Sequence, residues 1–281
     1  VIRARLLLAI FAAFLAHSVA VPAQATDPEL AASRAEAPKE QRVLFIGNSY
    51  TKFNNLPRMV SLVAEGLPEG TQVRTFKNLE PGATLRHQWL RGGAVEAIQR
   101  GGYTHVVIQA HSLDPFDRPG ELEKYARLFR TEISKKGARP VLYETWARRD
   151  SHFLYRKKPE LGSPAAMTAR LEQTYGALAR DLSADLAPVG RAFHLMRTRF
   201  PSVELYKSDG THPSEEGSYL ASCVMYGVLT GQSPEGTTFR PFPMDPLTAQ
   251  RLQRVAAESL RLAPPVVAPG APAGAMIAER R

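Results

Sequence analysis

Two short stretches of this chain carry residues whose types and spacing can do chemistry. In "VLFIGNSYT" (43–51) a run of strand-forming apolar residues stops at Gly47-Asn48, and Ser49 follows directly. In "SDGTHPSEEG" (208–217) Asp209 and His212 stand three residues apart in a glycine-containing loop, ahead of a helix with Glu215 and Glu216 in its first turn. A serine hydroxyl attacks an acyl carbon only when a base removes its proton and an acid orients that base. Asp-x-x-His suits the second half of that task, because the carboxylate can hold one imidazole nitrogen while the other faces a substrate. Each stretch also has a plainer reading. Gly-Asn-Ser is ordinary turn composition, and Asp209 can cap loop backbone with His212 merely exposed.

Such residues need elements to hold them. Short apolar runs with strand character lie near 42–47, 71–76, 105–109, 139–146 and 185–190. His105-Val106-Val107-Ile108-Gln109 and Pro140-Val141-Leu142-Tyr143 do not alternate with polar residues, as expected of strands buried on both faces. Between them, Leu122, Tyr125, Ala126, Phe129 and Ile133 recur at helical spacing, as do Met167, Leu171, Tyr175, Leu178 and Leu182. Asp245-Pro246 reads as a helix N-cap with proline at the first helical position. Strands separated by helices imply right-handed crossovers and a parallel sheet with helices on both sides. Sites in such folds lie beyond the carboxyl ends of the strands, where Ser49, Gln109 and Trp146 fall.

Gly47-Asn48-Ser49-Tyr50-Thr51 and Asp209-Gly210-Thr211-His212-Pro213 together resemble the SGNH, or GDSL-like, hydrolase superfamily, over residues 42 to about 230. The α/β-hydrolase elbow G-x-S-x-G matches less well, since Thr51 stands where its second glycine belongs. The resemblance implies a flavodoxin-like three-layer α/β/α fold with a mainly parallel five-stranded sheet. It also implies ester hydrolysis through Ser49 as nucleophile, His212 as base and Asp209 as orienting acid, without a cofactor. The oxyanion hole it implies uses the backbone N–H groups of Ser49 and of Gly82, in "PGATL". The third donor is usually an asparagine in Gly-x-Asn-Asp, and here the text is "VVIQAHS" (106–112). Gln109 is the expected substitute, with His111 as the other candidate. Trp146, in "ETWARRDS" (144–151), is a candidate for stacking on a sugar ring, and core packing is the alternative. Arg148 or Arg149 is placed to meet an anionic group. His87, His105, His152 and His194 have no ligand spacing, so no metal is expected.

The 281 residues are 44% hydrophobic and 22% charged, a globular composition with one main domain as the expectation. Arg3 and Arg5, the apolar run from Leu6 to Ala16 and the small residues of Ala23-Gln24-Ala25 predict a cleaved signal peptide over 1–25. Segments 26–40 and 263–281, rich in Ala, Pro and polar residues, are expected to be flexible, leaving a hydrolase domain over 41–262. The formal charge is +9, yet Lys and Arg are dispersed, and no nucleic-acid motif is present. The single cysteine, Cys223, has apolar neighbours and reads as a core thiol. The expectation is an exported serine esterase, periplasmic or secreted and not inserted in a membrane, acting on O-acyl groups of a carbohydrate or envelope glycan. Its alternatives are a non-catalytic glycan-binding relative and an O-acyltransferase that uses the same triad.

Overall fold

The computed structural model describes residues 40–262. The expected signal segment 1–25, nearly all of the segment 26–40 and the tail 263–281 lie outside the described residues. Five strands form one sheet: β1 (Glu40–Gly47), β2 (Gln72–Leu79), β3 (His105–Ile108), β4 (Arg139–Tyr143) and β5 (Asp185–Ala187). They lie in the order β2-β1-β3-β4-β5, and every neighbouring pair is parallel. This is the flavodoxin-like winding, in which the chain reverses direction between β1 and β3. The crevice beyond the carboxyl ends of those two strands is where a ligand site belongs, and Ser49 leaves β1 there.

Side-chain alternation along the strands builds the three layers. Val43 and Phe45 of β1, Val107 and Val141 point into one core, shared with helices Leu56–Glu65, Val189–Arg199, Glu215–Thr230 and Pro246–Arg261. Leu44, Ile46, Val106, Ile108 and Leu142 point the other way, against helices Ala94–Arg100, Pro119–Lys135 and Pro164–Leu182. A central strand with both faces covered must be apolar at successive positions, which explains the unbroken run in the sequence. Helix Glu215–Thr230 is buried along most of its length, Cys223 included, and burial pushes that thiol up. Among the described residues no helix is long and apolar enough to cross a membrane.

Two strands end sooner than their composition suggests. β4 stops at Tyr143 and β5 at Ala187. The residues after β4 turn into the protein, so Glu144, Thr145 and Trp146 are fully buried beyond the sheet. Glu144 accepts the Arg191 N–H at 2.9 Å with one carboxyl oxygen, and the other has no partner among the described residues. Burial, with Glu172 nearby, pushes its pKa up to about 8 against the opposing pull of Arg191. The folded protein therefore keeps this carboxyl protonated, whereas the unfolded chain releases the proton near the ordinary value of about 4.3. Its contribution to stability is full below that value and is lost as pH rises towards 8, at about 1.4 kcal/mol per pH unit at most. Urea unfolding of wild type and Glu144→Gln at pH 5 and pH 8 tests this. The difference between the two should move against the wild type as pH rises, and a constant difference would mean that Glu144 is ionised in the fold.

Candidate active site

Each residue of Gly47-Asn48-Ser49 has its own reason to be there. Gly47 ends β1 so close to β3 that a Cβ atom would lie 2.7 Å from Gln109 Oε1 and 3.0 Å from Thr51 Oγ1. Only glycine fits that approach. Asn48 caps the short helix Ser49–Lys52, its side-chain oxygen accepting the Tyr50 N–H at 3.1 Å. Its amide also donates to Ala83 O at 3.0 Å, which ties the serine turn to the loop after β2. Ser49 is thus the first residue of a helix, and its own N–H donates to nothing among the described residues.

The partner loop is built as tightly. Asp209 Oδ1 accepts the N–H groups of Thr211 and His212 at 2.8 and 2.9 Å, while Oδ2 faces His212 Nδ1 at 2.7 Å. His212 Nε2 in turn lies 2.9 Å from Ser49 Oγ. Partial burial acts to raise the Asp209 pKa, but the hydrogen bonds from the imidazole and the two N–H groups outweigh it and hold the carboxyl below its usual range. An ionised Asp209 fixes the imidazole proton on Nδ1 and leaves Nε2 free to accept from the serine. Both plain readings of the sequence are physically present here, since Asn48 and Asp209 do cap backbone, and the reactive atoms are positioned by that capping.

Residues that pattern reading passed over hold the two loops together. Asn54, in the left-handed region at φ 52°, donates to Pro213 O (3.2 Å), Ser214 O (2.8 Å) and Ser218 Oγ (2.8 Å). Tyr50 shares a 2.5 Å hydrogen bond with Thr211 Oγ1, and its ring meets His212 edge-on. From sequence the Asn54-Asn55 pair reads as a turn or cap ahead of the next helix, which Asn55 does precede as N-cap, and nothing local points to the contacts of Asn54.

Two of the expected site residues prove to be elsewhere. Gln109 is 1% exposed, and its Oε1 accepts from Asn48 N–H (2.9 Å) and Thr51 Oγ1 (3.0 Å) while its amide donates to Ala110 O. It therefore braces the serine turn from within the protein, one amide N–H on Ala110 O, and is too buried to meet an oxyanion in the cleft. Trp146 is fully buried between the rings of Tyr50 (4.6 Å) and Phe193 (4.2 Å), and its Nε1–H donates to Thr211 O at 3.0 Å. It cannot stack on a sugar. His111 remains partly exposed in the loop after β3, and its Nδ1 accepts the Leu113 N–H at 3.4 Å. Gly82, at φ +73°, is the third residue of a turn closed by Ala83 N–H to Glu80 O at 3.1 Å, and its own N–H is unpaired among the described residues.

A depression of about 460 Å³ opens beside Gly82, lined also by Glu80, Arg86, His87, Leu90 and Arg91. Behind the site, Arg148 is buried, donates to Ser112 Oγ at 2.8 Å and leaves Nε and Nη1 without partners. Burial lowers its pKa to about 10, with Tyr155, Tyr206 and Asp209 opposing. Among the described residues no group of three His, Cys, Asp or Glu side chains stands together as a metal site.

No family model and no curated protein matches the sequence. Solved structures do. A Bacteroides uniformis protein of the DUF4886 family superposes with a TM-score of 0.63 at 18% identity, over 79% of this chain and 95% of its own. An acetyl-xylooligosaccharide esterase from Geobacillus gives 0.52 at 16% identity, over 71% and 97%. At such identities these two attest the fold. An SGNH hydrolase from Slackia heliotrinireducens gives 0.56 at 30% identity, over 67% of this chain and 98% of its own. With that identity over nearly the whole of the Slackia protein, the chain belongs to the SGNH hydrolases.

Proposed function

We propose that the protein is a serine esterase that removes short acyl groups, acetyl first among them, from a carbohydrate. The observation that carries this reading is the unbroken line from Asp209 through His212 to Ser49 Oγ, at 2.7 and 2.9 Å. Ser49 Oγ attacks the ester carbonyl as His212 Nε2 takes the hydroxyl proton, and the carbonyl oxygen becomes an oxyanion. The unpaired N–H groups of Ser49 and Gly82 are the backbone donors suited to it. Collapse of the intermediate expels the sugar alkoxide, which receives the proton from His212. Water then repeats the attack on the acyl-serine, again through His212, and frees the acid.

Hydrolysis is favoured over transfer by the openness of the pair. The side chains of His212 and Asp209 are 26% and 45% exposed, so water has free access to an acyl-serine, where a transferase must exclude it. An acetyl group is suggested by the fold neighbour that acts on acetylated xylo-oligosaccharides.

Hydrolysis of p-nitrophenyl acetate tests the reading. Ser49→Ala should lose activity by a factor of about 10⁶ with its unfolding curve unchanged, the size seen when a serine triad loses its nucleophile. Retained turnover would overturn it. With Gln109 occupied behind the turn, His111 is the side chain left to supply a third oxyanion donor. His111→Ala should therefore lower kcat by about 10² to 10³ with little change in KM. Gln109→Ala should mainly lower the urea midpoint. Unchanged kcat in His111→Ala would leave the backbone N–H groups as the only donors.

A further inference from the structure

We propose that the ester is carried on a polyanionic glycan, whose carboxylates are received by basic residues on both sides of Ser49; the inference rests on the esterase reading above. On one side, the depression beside Gly82 has Arg86 and Arg91 in its wall. That wall is coupled to the serine turn through the Asn48 amide on Ala83 O. On the other side, Lys207 Nζ lies 5.1 Å from the centroid of the Phe53 ring, and that ring lies 4.6 Å from the His212 imidazole. Lys52, exposed, precedes Phe53.

The acids nearby do not neutralise this rim. Glu204 is engaged with Arg149 at 2.9 Å; the histidine partners of Glu80 and Asp209 cancel those carboxylates only when protonated, but the acids are outnumbered by Arg86, Arg91, Lys52, Lys207 and Arg148. Glu121 stands 3.9 Å from Arg86, a loose contact. Arg91, Lys52 and Lys207 have no acidic partner among the described residues. Behind Tyr50, 5.6 Å from its ring centroid, the buried Arg148 guanidinium is paired by no carboxylate and has two nitrogens unpartnered. A charge held in a low-dielectric interior projects its field further than one in water. Together these groups set basic side chains both beside the Gly82 turn and beside the His212 loop, and a single acidic group cannot answer both. Anions spaced along a polymer, with the ester between them, can. The effect falls mainly on capture of substrate and is screened by salt.

The probes are O-acetylated polygalacturonate and the same polymer after chemical reduction of its carboxyl groups, with acetate release measured at about 20 and 300 mM NaCl. We expect kcat/KM to be at least about tenfold higher for the anionic polymer at low salt, and the preference to shrink at high salt. The charge reversals Arg91→Glu and Lys207→Glu, made together at exposed positions, should bring the ratio of the two polymers to about one or below. Equal efficiency on both polymers at low salt, or a ratio indifferent to the reversals, would overturn this inference alone. Failure of the wild type to exceed Ser49→Ala on either polymer and on p-nitrophenyl acetate would overturn the esterase reading and this inference with it.

Discussion

The end of β1 is buried, and backbone polar groups removed from water must find partners inside the protein. Gly47 O accepts from the Glu80 N–H at 3.0 Å and from the Gln88 amide at 2.8 Å. Asn48 N–H goes to Gln109, the Asn48 amide to Ala83, and Asn48 O receives the N–H groups of Thr51 and Lys52. The chain turns from strand to helix within one residue because six neighbouring groups meet its demand at that point. The position of Ser49 Oγ follows from this satisfaction, as do the height of the Gly82 turn and the placement of Gln109. Removal of one buried partner leaves a polar group stranded, at a cost of about 1 to 3 kcal/mol.

The second demand is to bring together residues 163 positions apart in the chain, Ser49 and His212. Ordering so long a connection has a large entropic cost, which no single hydrogen bond in the active site offsets. The work is spread over contacts that have no part in the chemistry. Asn54 grips the loop after His212 through three acceptors, and Thr211 is held from two sides by Tyr50 and Trp146. The aromatic sandwich joins the Tyr50 ring, through Trp146, to Phe193 of helix Val189–Arg199 in the same core. In this way the packing of one helix layer reaches the imidazole.

Much of this was legible in the sequence. Apolar runs that do not alternate identify buried parallel strands, and the strand-helix rhythm yields the layered fold. Ser49, Asp209 and His212 stand out only when their two stretches are read together as resembling the SGNH motifs, and the three side chains do meet. What escaped was direction. At a strand end a glutamine or a tryptophan can point to the cleft or back into the protein, and residue type does not distinguish the two. Gln109 turned inward because the buried Asn48 N–H required an acceptor, and Trp146 because a gap lay between Tyr50 and Phe193. Asn54 escaped for a related reason: its three acceptors come from residues 159 to 164 positions away, which no local pattern records.

The burial of Trp146 also makes the protein its own optical probe. The chain has two tryptophans, and Trp89 lies on the other face of the sheet against Phe129. Of the two, Trp146 touches Tyr50, the residue after Ser49, and its indole N–H is bonded to the loop that carries His212. Its emission is set by an apolar cage on both ring faces and by one carbonyl, so any event that shifts either loop changes its colour or lifetime. With Trp89 replaced by phenylalanine, the unlabelled protein would report movement of the Ser49 and His212 loops by intrinsic fluorescence, without a dye and without turnover.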